Sequence, residues 1–285
     1  MDTNKGLRIF NGATAIITGG ASGIGKAIAM ELSRRGCEVV LADVQHELAQ
    51  EVASHIQSSG GKASAKKIDV RDFHAVKELV EETAQRTGRL DYMFNNAGAA
   101  IIGEVSDYSI EDWNLIIDIN LRGEINGIQA AYQVMLKQKF GQIVNTSSLV
   151  GLTPSPGNTV YSATKHALVG LSQSLRVEAA LHGIRINVVC PGVVRTPMMH
   201  GGGFNKSYFN MSPEQVADMF EKMRPMDVDL FAKKVLRLIA KDKGIIIVPS
   251  SNKIFIGLYK FFPETIIILL KIATKRFIKK YNLVC

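Results

Sequence analysis

A phenol and an ammonium four residues apart are the side chains of this sequence best suited to moving a proton. Tyr161 and Lys165 close the stretch 145–165, which starts as an apolar strand, breaks at Pro154, Pro156 and Gly157, and then enters a helical pattern. Positions i and i+4 of a helix share one face, about one turn apart. A free tyrosine titrates near 10, too high for a base at neutral pH. A cation about 4 Å away, at an effective dielectric of about 20, favours the phenolate by roughly 4 kcal/mol, or about three pK units. The phenol then approaches working pH, where proton transfer is most efficient. Ser148 stands thirteen positions before Tyr161, at the end of the strand feeding the helix, where its hydroxyl can face the same point. Ser147 is the neighbour with which it can be confused. Tyr and Lys also share this spacing on helices without any chemistry, so the pair needs support from the rest of the chain.

The elements that must hold these side chains alternate in type. Short β-type runs are expected at 13–17, 37–42, 63–68, 90–94, 142–145, 185–189 and 245–248, with helices near 24–35, 46–58, 72–87, 111–138, 159–182 and 212–222. Strands apolar on both faces and separated by helices imply an α/β fold with a mostly parallel sheet covered on both sides. Nothing like a linker interrupts 8–250, so one doubly wound, Rossmann-type domain is expected over 1–252.

The first strand runs into Thr18-Gly19-Gly20-Ala21-Ser22-Gly23-Ile24-Gly25, where a helix begins. Glycines allow a tight turn and a close backbone approach, and a helix N-terminus offers N–H groups to a pyrophosphate. Gly19, Ser22, Gly23, Ile24 and Gly25 are therefore candidate cofactor contacts. Asp43, eighteen residues beyond Gly25 at the end of the next strand, is placed to accept hydrogen bonds from a ribose diol. A carboxylate there repels a 2′-phosphate, which favours NAD over NADP. The alternative is a structural turn with Asp43 capping a loop.

Composition narrows the class. The 285 residues are 46% hydrophobic and 21% charged, enough for a full core and unlike a disordered chain. Three isolated cysteines and six scattered histidines show no disulfide framework or metal-ligand spacing, and a reducing, cytoplasmic setting without a metal is expected. The first ten residues carry no apolar run, which argues against a secretory signal. The net charge is +8, but 253–285 holds seven basic residues and one acid, or +6, leaving +2 for the other 252. Basic character belongs to the tail, where bulky aliphatics interleave the charges, and nucleic-acid binding is not expected.

The glycine pattern G-x-x-x-G-x-G, the tetrad Asn95-Asn96-Ala97-Gly98, the Ser148–Tyr161–Lys165 set, and Pro191-Gly192 followed by Thr196 together resemble the short-chain dehydrogenase/reductase family, in order and spacing over about 8–250. The resemblance implies that Tyr161 is the general acid/base, that Lys165 lowers its pKa and binds the nicotinamide ribose, and that Ser148 holds the substrate oxygen. It also implies that Asn120 positions a water beside Lys165. Asp69 and Val70 correspond to adenine contacts, Asn96, Ala97 and Gly98 to the adenine-ribose and pyrophosphate side, and Val194 and Thr196 to the nicotinamide carboxamide. The activity implied is NAD-dependent interconversion of an alcohol and a ketone. A non-catalytic NAD(H)-binding sensor or scaffold of the same fold is the alternative.

Residues 192–226 stand where such a fold carries a substrate lid. Gly201-Gly202-Gly203 offers a hinge, and Met198, Met199, Met211, Met219, Met223 and Met226 lie there with Phe204, Phe209 and Phe220. Methionine surfaces adapt to irregular apolar ligands, which points to a lipophilic alcohol or ketone; packing of the lid onto the body explains them equally. Beyond residue 249 the chain departs from the family. A helical pattern over 264–281 sets Lys271, Lys275 and Lys279, with Arg276 and Lys280 beside them, opposite Ile266, Leu269, Leu270, Ala273 and Phe277. Such a basic amphipathic extension over 253–285 fits the interface of an anionic membrane, a second subunit or the protein's own body. A homo-oligomer, taken as a dimer, is expected.

Overall fold

All five side chains of the first strand, β1 (Thr14–Thr18), are buried, so it must be covered on both faces. The computed structural model describes residues 6–200 and 205–281. From β1 the chain runs through α1 (Gly23–Arg34), β2 (Glu38–Asp43), α2 (His46–Ser58), β3 (Ala63–Lys67), α3 (Phe73–Thr87) and β4 (Tyr92–Asn95). After a two-residue strand, β5 (Ile101–Ile102), come α4 (Ile110–Ile117), α5 (Gly123–Gln138), β6 (Gly141–Thr146), α6 (Thr159–Ala180) and β7 (Ile184–Pro191). Then follow β8 (Lys206–Ser207), α7 (Pro213–Lys222), α8 (Val228–Ala240), β9 (Ile245–Val248), α9 (Asn252–Phe261) and α10 (Pro263–Tyr281).

Seven strands form one sheet in the order β3-β2-β1-β4-β6-β7-β9, and all its pairings are parallel. The period of two in a strand divides the core. Ile17, Val39 and Leu41 pack with α1, α2 and α8 on one face, whereas Ile16, Val40, Met93 and Ile143 pack with α3 and α5 on the other. The chain therefore winds both ways from β1 and β4, and the crevice between their C-terminal ends is where such sheets bind ligands.

Two elements differ from the sequence reading. Residues 228–240 were not expected as a helix, yet Asp227 caps α8 through the Leu230 N–H. Phe231, Ala232, Val235, Leu236 and Ile239 then bury one helical face. The single helix expected over 111–138 is broken into α4 and α5 by a π-helical segment, Asp118–Arg122. Within that segment the Asn120 side chain is tied to the stretch that follows β4: it accepts from the Ala99 N–H and donates to the Ala99 carbonyl, each at 2.8 Å.

The apolar face expected on the last helix is divided: part of it packs on the protein's own body, while Leu269 and Ala273 are exposed. Ile266 is buried, Leu270 and Phe277 are half-buried, and the Phe277 ring meets Phe209 edge-on at 6.3 Å. Leu269 lies on the outer side, 56% exposed.

Candidate active site

The glycine turn after β1 is built for close approach. Gly19 and Gly23 have φ of +64° and +52°, the left-handed region that a side chain disfavours. A Cβ on Gly25 would lie 2.1 Å from the Gly19 carbonyl oxygen and 2.6 Å from Asn96 Nδ2. Asn96 in turn donates from Nδ2 to the Thr18 carbonyl at 3.0 Å, and its N–H reaches Thr18 Oγ1 at 2.9 Å. The ends of β1 and β4 are thus locked around the turn. Ser22 is exposed and Ile24 half-buried at the start of α1, and a Cβ on Gly23 would touch the Thr196 side chain at 3.4 Å. Val194 is buried and bridges to Met226.

The acidic candidates are engaged by the chain itself. Asp43 accepts from the Ala21 N–H at 3.0 Å and the Gln45 N–H at 2.9 Å, so its carboxylate shapes the glycine turn. Asp69 forms a fork with Arg71, whose guanidinium holds the Asp69 carboxyl below its usual range. Val70 is buried against Gly123, where a Cβ would come within 2.6 Å of Val70 Cγ2.

The two serines separate by partner. Ser147 Oγ donates to the Lys165 carbonyl at 2.7 Å, joining the end of β6 to α6. Ser148 is half-buried and caps the short turn Leu149–Gly151, accepting from the Val150 N–H at 3.4 Å. Tyr161 is half-buried on α6. The Lys165 ammonium lies 5.7 Å from the centre of the Tyr161 ring. A Cβ on Gly98 would be 3.8 Å from that ammonium and 3.3 Å from Asn120 Oδ1. Tyr161, Lys165, Asn120 and Gly98 therefore meet where β4, β6 and α6 converge.

One residue of this cluster was missed. Glu124, 2% exposed, places Oε1 3.2 Å from Lys165 Nζ, which also donates to the Thr146 carbonyl at 2.7 Å. Lys165, expected as the cation beside the phenol, is thus also paired with a buried acid. Burial pushes the Glu124 carboxyl up to about 8, against the opposite pull of Lys165. Glu124 Oε2 has no partner among the described residues. The available signal was the i+4 spacing from Asn120 and an acid beside the small residues Gly123 and Gly127.

The segment expected as a lid meets the body at several described points. β8 pairs with β5, and Lys206 and Tyr208 both bond Asp112, while Arg195 pairs with Glu221 within the segment. Met198 and Met223 are exposed, 40% and 52%, while Met211, Met219, Phe209 and Phe220 are half-buried. Gly201, Gly202, Gly203, Phe204 and the Met199 side chain lie outside the described residues.

The family model of short chain dehydrogenases matches residues 13–203. Oxidoreductase UcpA of Salmonella typhimurium is 43% identical over 66% of this chain and 71% of that protein. Cyclohexanol dehydrogenase of an Acinetobacter species is 40% identical over 67% and 76%. The crystal structure of NAD+-bound xylitol dehydrogenase superposes with a TM-score of 0.75 at 25% identity, covering 85% of this chain and 99% of that one.

Proposed function

The chain belongs to the short-chain dehydrogenase family, and from that membership we propose an NAD-dependent oxidoreductase that interconverts a lipophilic secondary alcohol and its ketone. The observation that carries the reading is the convergence of Tyr161, Lys165 and Gly98 beside a glycine turn so tight that a Cβ at Gly25 would collide with the Gly19 carbonyl.

The residues fit a dinucleotide. The turn at Gly19, Ser22, Gly23, Ile24 and Gly25 leads into the start of α1, whose backbone N–H groups suit a pyrophosphate. Asn96, Ala97, Gly98, Asp69 and Val70 border the adenosine side, and Val194 and Thr196 the nicotinamide side. Asp43 ends β2 with a carboxylate, which supports NAD rather than NADP. NAD, when bound, supplies the hydride chemistry. The chain's own work is on the proton: Tyr161 exchanges it with the substrate oxygen, and Ser148 donates a hydrogen bond to that oxygen. Lys165 supplies the positive charge beside the phenol, while Asn120 ties the neighbouring π-helical segment to Ala99. The half-buried lid methionines support an apolar substrate, as does similarity to a cyclohexanol dehydrogenase.

Cys37 and Cys190 are buried free thiols, consistent with a reducing, cytoplasmic setting. Ile125, Val177 and Leu181 on α5 and α6 are 39%, 73% and 84% exposed, which supports a homodimer; sedimentation velocity reads its stoichiometry. The central test is Tyr161→Phe, followed by NADH absorbance with a panel of secondary alcohols beginning with cyclohexanol. Turnover should fall by about 10²–10⁴-fold with NADH affinity within twofold of wild type. A variant as active as wild type removes the acid/base assignment. NADH binding with no turnover on any alcohol or ketone favours the sensor reading.

A further inference from the structure

The last two helices expose apolar side chains that the fold does not use. Ile254, Leu258 and Phe261 recur at i, i+4 and i+7 of α9, one stripe of the helix, and are 72%, 46% and 77% exposed. Phe262, at the corner between α9 and α10, is 60% exposed, and Ile268, Leu269 and Ile272 on the first half of α10 are 55%, 56% and 43% exposed. Single exposed apolar residues need no explanation, but seven within 254–272 make a patch, and patches mark interaction surfaces.

Charge selects the partner. Lys253, Lys260, Lys271, Lys275, Arg276, Lys279 and Lys280 are all exposed on the same two helices, against the single acid Glu264. A second copy of this chain would set seven cations against seven. An anionic lipid surface meets both features at once, taking aromatic and aliphatic side chains below the headgroups and lysines among the phosphates. No described helix is long and apolar enough to cross a membrane, so the contact is with one leaflet.

We propose that α9 and the outer face of α10 dock this protein on an anionic bilayer, with Phe261, Phe262 and the Ile254–Leu258 stripe inserted and the α10 lysines on lipid headgroups. The inserting face is not the one the helical pattern of 264–281 favours, since Ile266 and Phe277 are taken by the protein. Phe277 rests on Phe209 of the lid, so docking brings the lid to the surface where apolar compounds partition.

The test uses the full chain and sucrose-loaded vesicles, of phosphatidylcholine alone or with phosphatidylserine as a third of the lipid. Binding to the anionic vesicles should exceed binding to the neutral ones by at least about tenfold, since each basic residue near such a surface contributes about fivefold. Phe261→Ala with Phe262→Ala should weaken anionic binding by about tenfold or more. Lys271→Glu with Lys275→Glu and Lys279→Glu should abolish the preference for phosphatidylserine. All these positions are exposed, so the variants should keep the wild-type melting temperature. Failure of the wild type to pellet, or equal pelleting of wild type and the phenylalanine variant, overturns the proposal. A dimer in sedimentation velocity that the phenylalanine variant converts to monomer overturns it as well, by naming a second copy as the occupant.

Discussion

The floor of the site and its roof are held by different physics. On the floor, the ends of β1, β4 and β6 meet through backbone and through buried or half-buried side chains: Asn96 on Thr18, Ser147 on Lys165, Gly25 on the Gly19 carbonyl. There is no slack, because interiors are packed like crystals and a single methyl is felt. In the roof, the segment expected as a lid meets the body through the short β5–β8 pairing, the Lys206 and Tyr208 bonds to Asp112 and the Phe209–Phe277 ring contact, while its exposed ion pairs, Arg195–Glu221 and Lys222–Asp218, stay within the segment. Exposed ion pairs contribute about 0–1 kcal/mol each. The parts assigned to cofactor and proton are therefore joined by close backbone approach, and the part assigned to substrate by a short strand pair and side-chain contacts.

The sharpest break of that contrast is Gly25→Ala. Its new methyl meets backbone rather than a yielding side chain, 2.1 Å from the Gly19 oxygen, so the turn must open. NADH affinity should fall by more than about a hundredfold, and urea unfolding should show a loss of about 1–3 kcal/mol, typical of overpacking. Unchanged NADH affinity, read by fluorescence titration, would show that the floor has slack after all.

Glu124 gives a smaller and pH-dependent effect. Its folded pKa, about 8, lies above the ordinary carboxyl value of 4.5 because burial outweighs Lys165. Between those two values the folded state holds a proton that the unfolded state has released, so stability falls as pH rises and levels off above about 8. Wild-type stability in urea should drop from pH 6 to pH 8, and Glu124→Gln should drop by less. Parallel curves would assign the titration elsewhere.

How far the sequence could be read follows the same division. The glycine turn, the β4 tetrad and the Tyr161–Lys165 spacing were legible because each is local and each forces a backbone shape. The parallel sheet was legible from strands apolar on both faces. Glu124 was not, since its partner is 41 residues away and an isolated acid on α5 looks solvated. Helix α8 is announced by Asp227 and by the spacing of Phe231, Val235 and Ile239, signals that stand close behind the irregular, methionine-rich stretch and are masked by it. The α10 face was open to either choice, because exposed and buried sides are both apolar in its first half, and only packing against Phe209 decides between them.

The mildest expected effect is also the most direct probe of the roof. Phe277 sits between Phe209 and Tyr281, with ring centres 6.3 Å and 5.0 Å away. Phe209 in turn borders Gly157, where a Cβ would lie 3.2 Å from its ring, in the loop that leads to Tyr161. Phe277→Ala removes about 0.5–1.5 kcal/mol of ring–ring contact between α10 and the segment expected as a lid. KM for an apolar alcohol should rise severalfold while kcat and NADH affinity stay near wild type, the pattern of lost uniform substrate binding. A parallel loss of NADH affinity would mean that α10 supports the glycine turn as well as the lid, and that floor and roof are one mechanical unit.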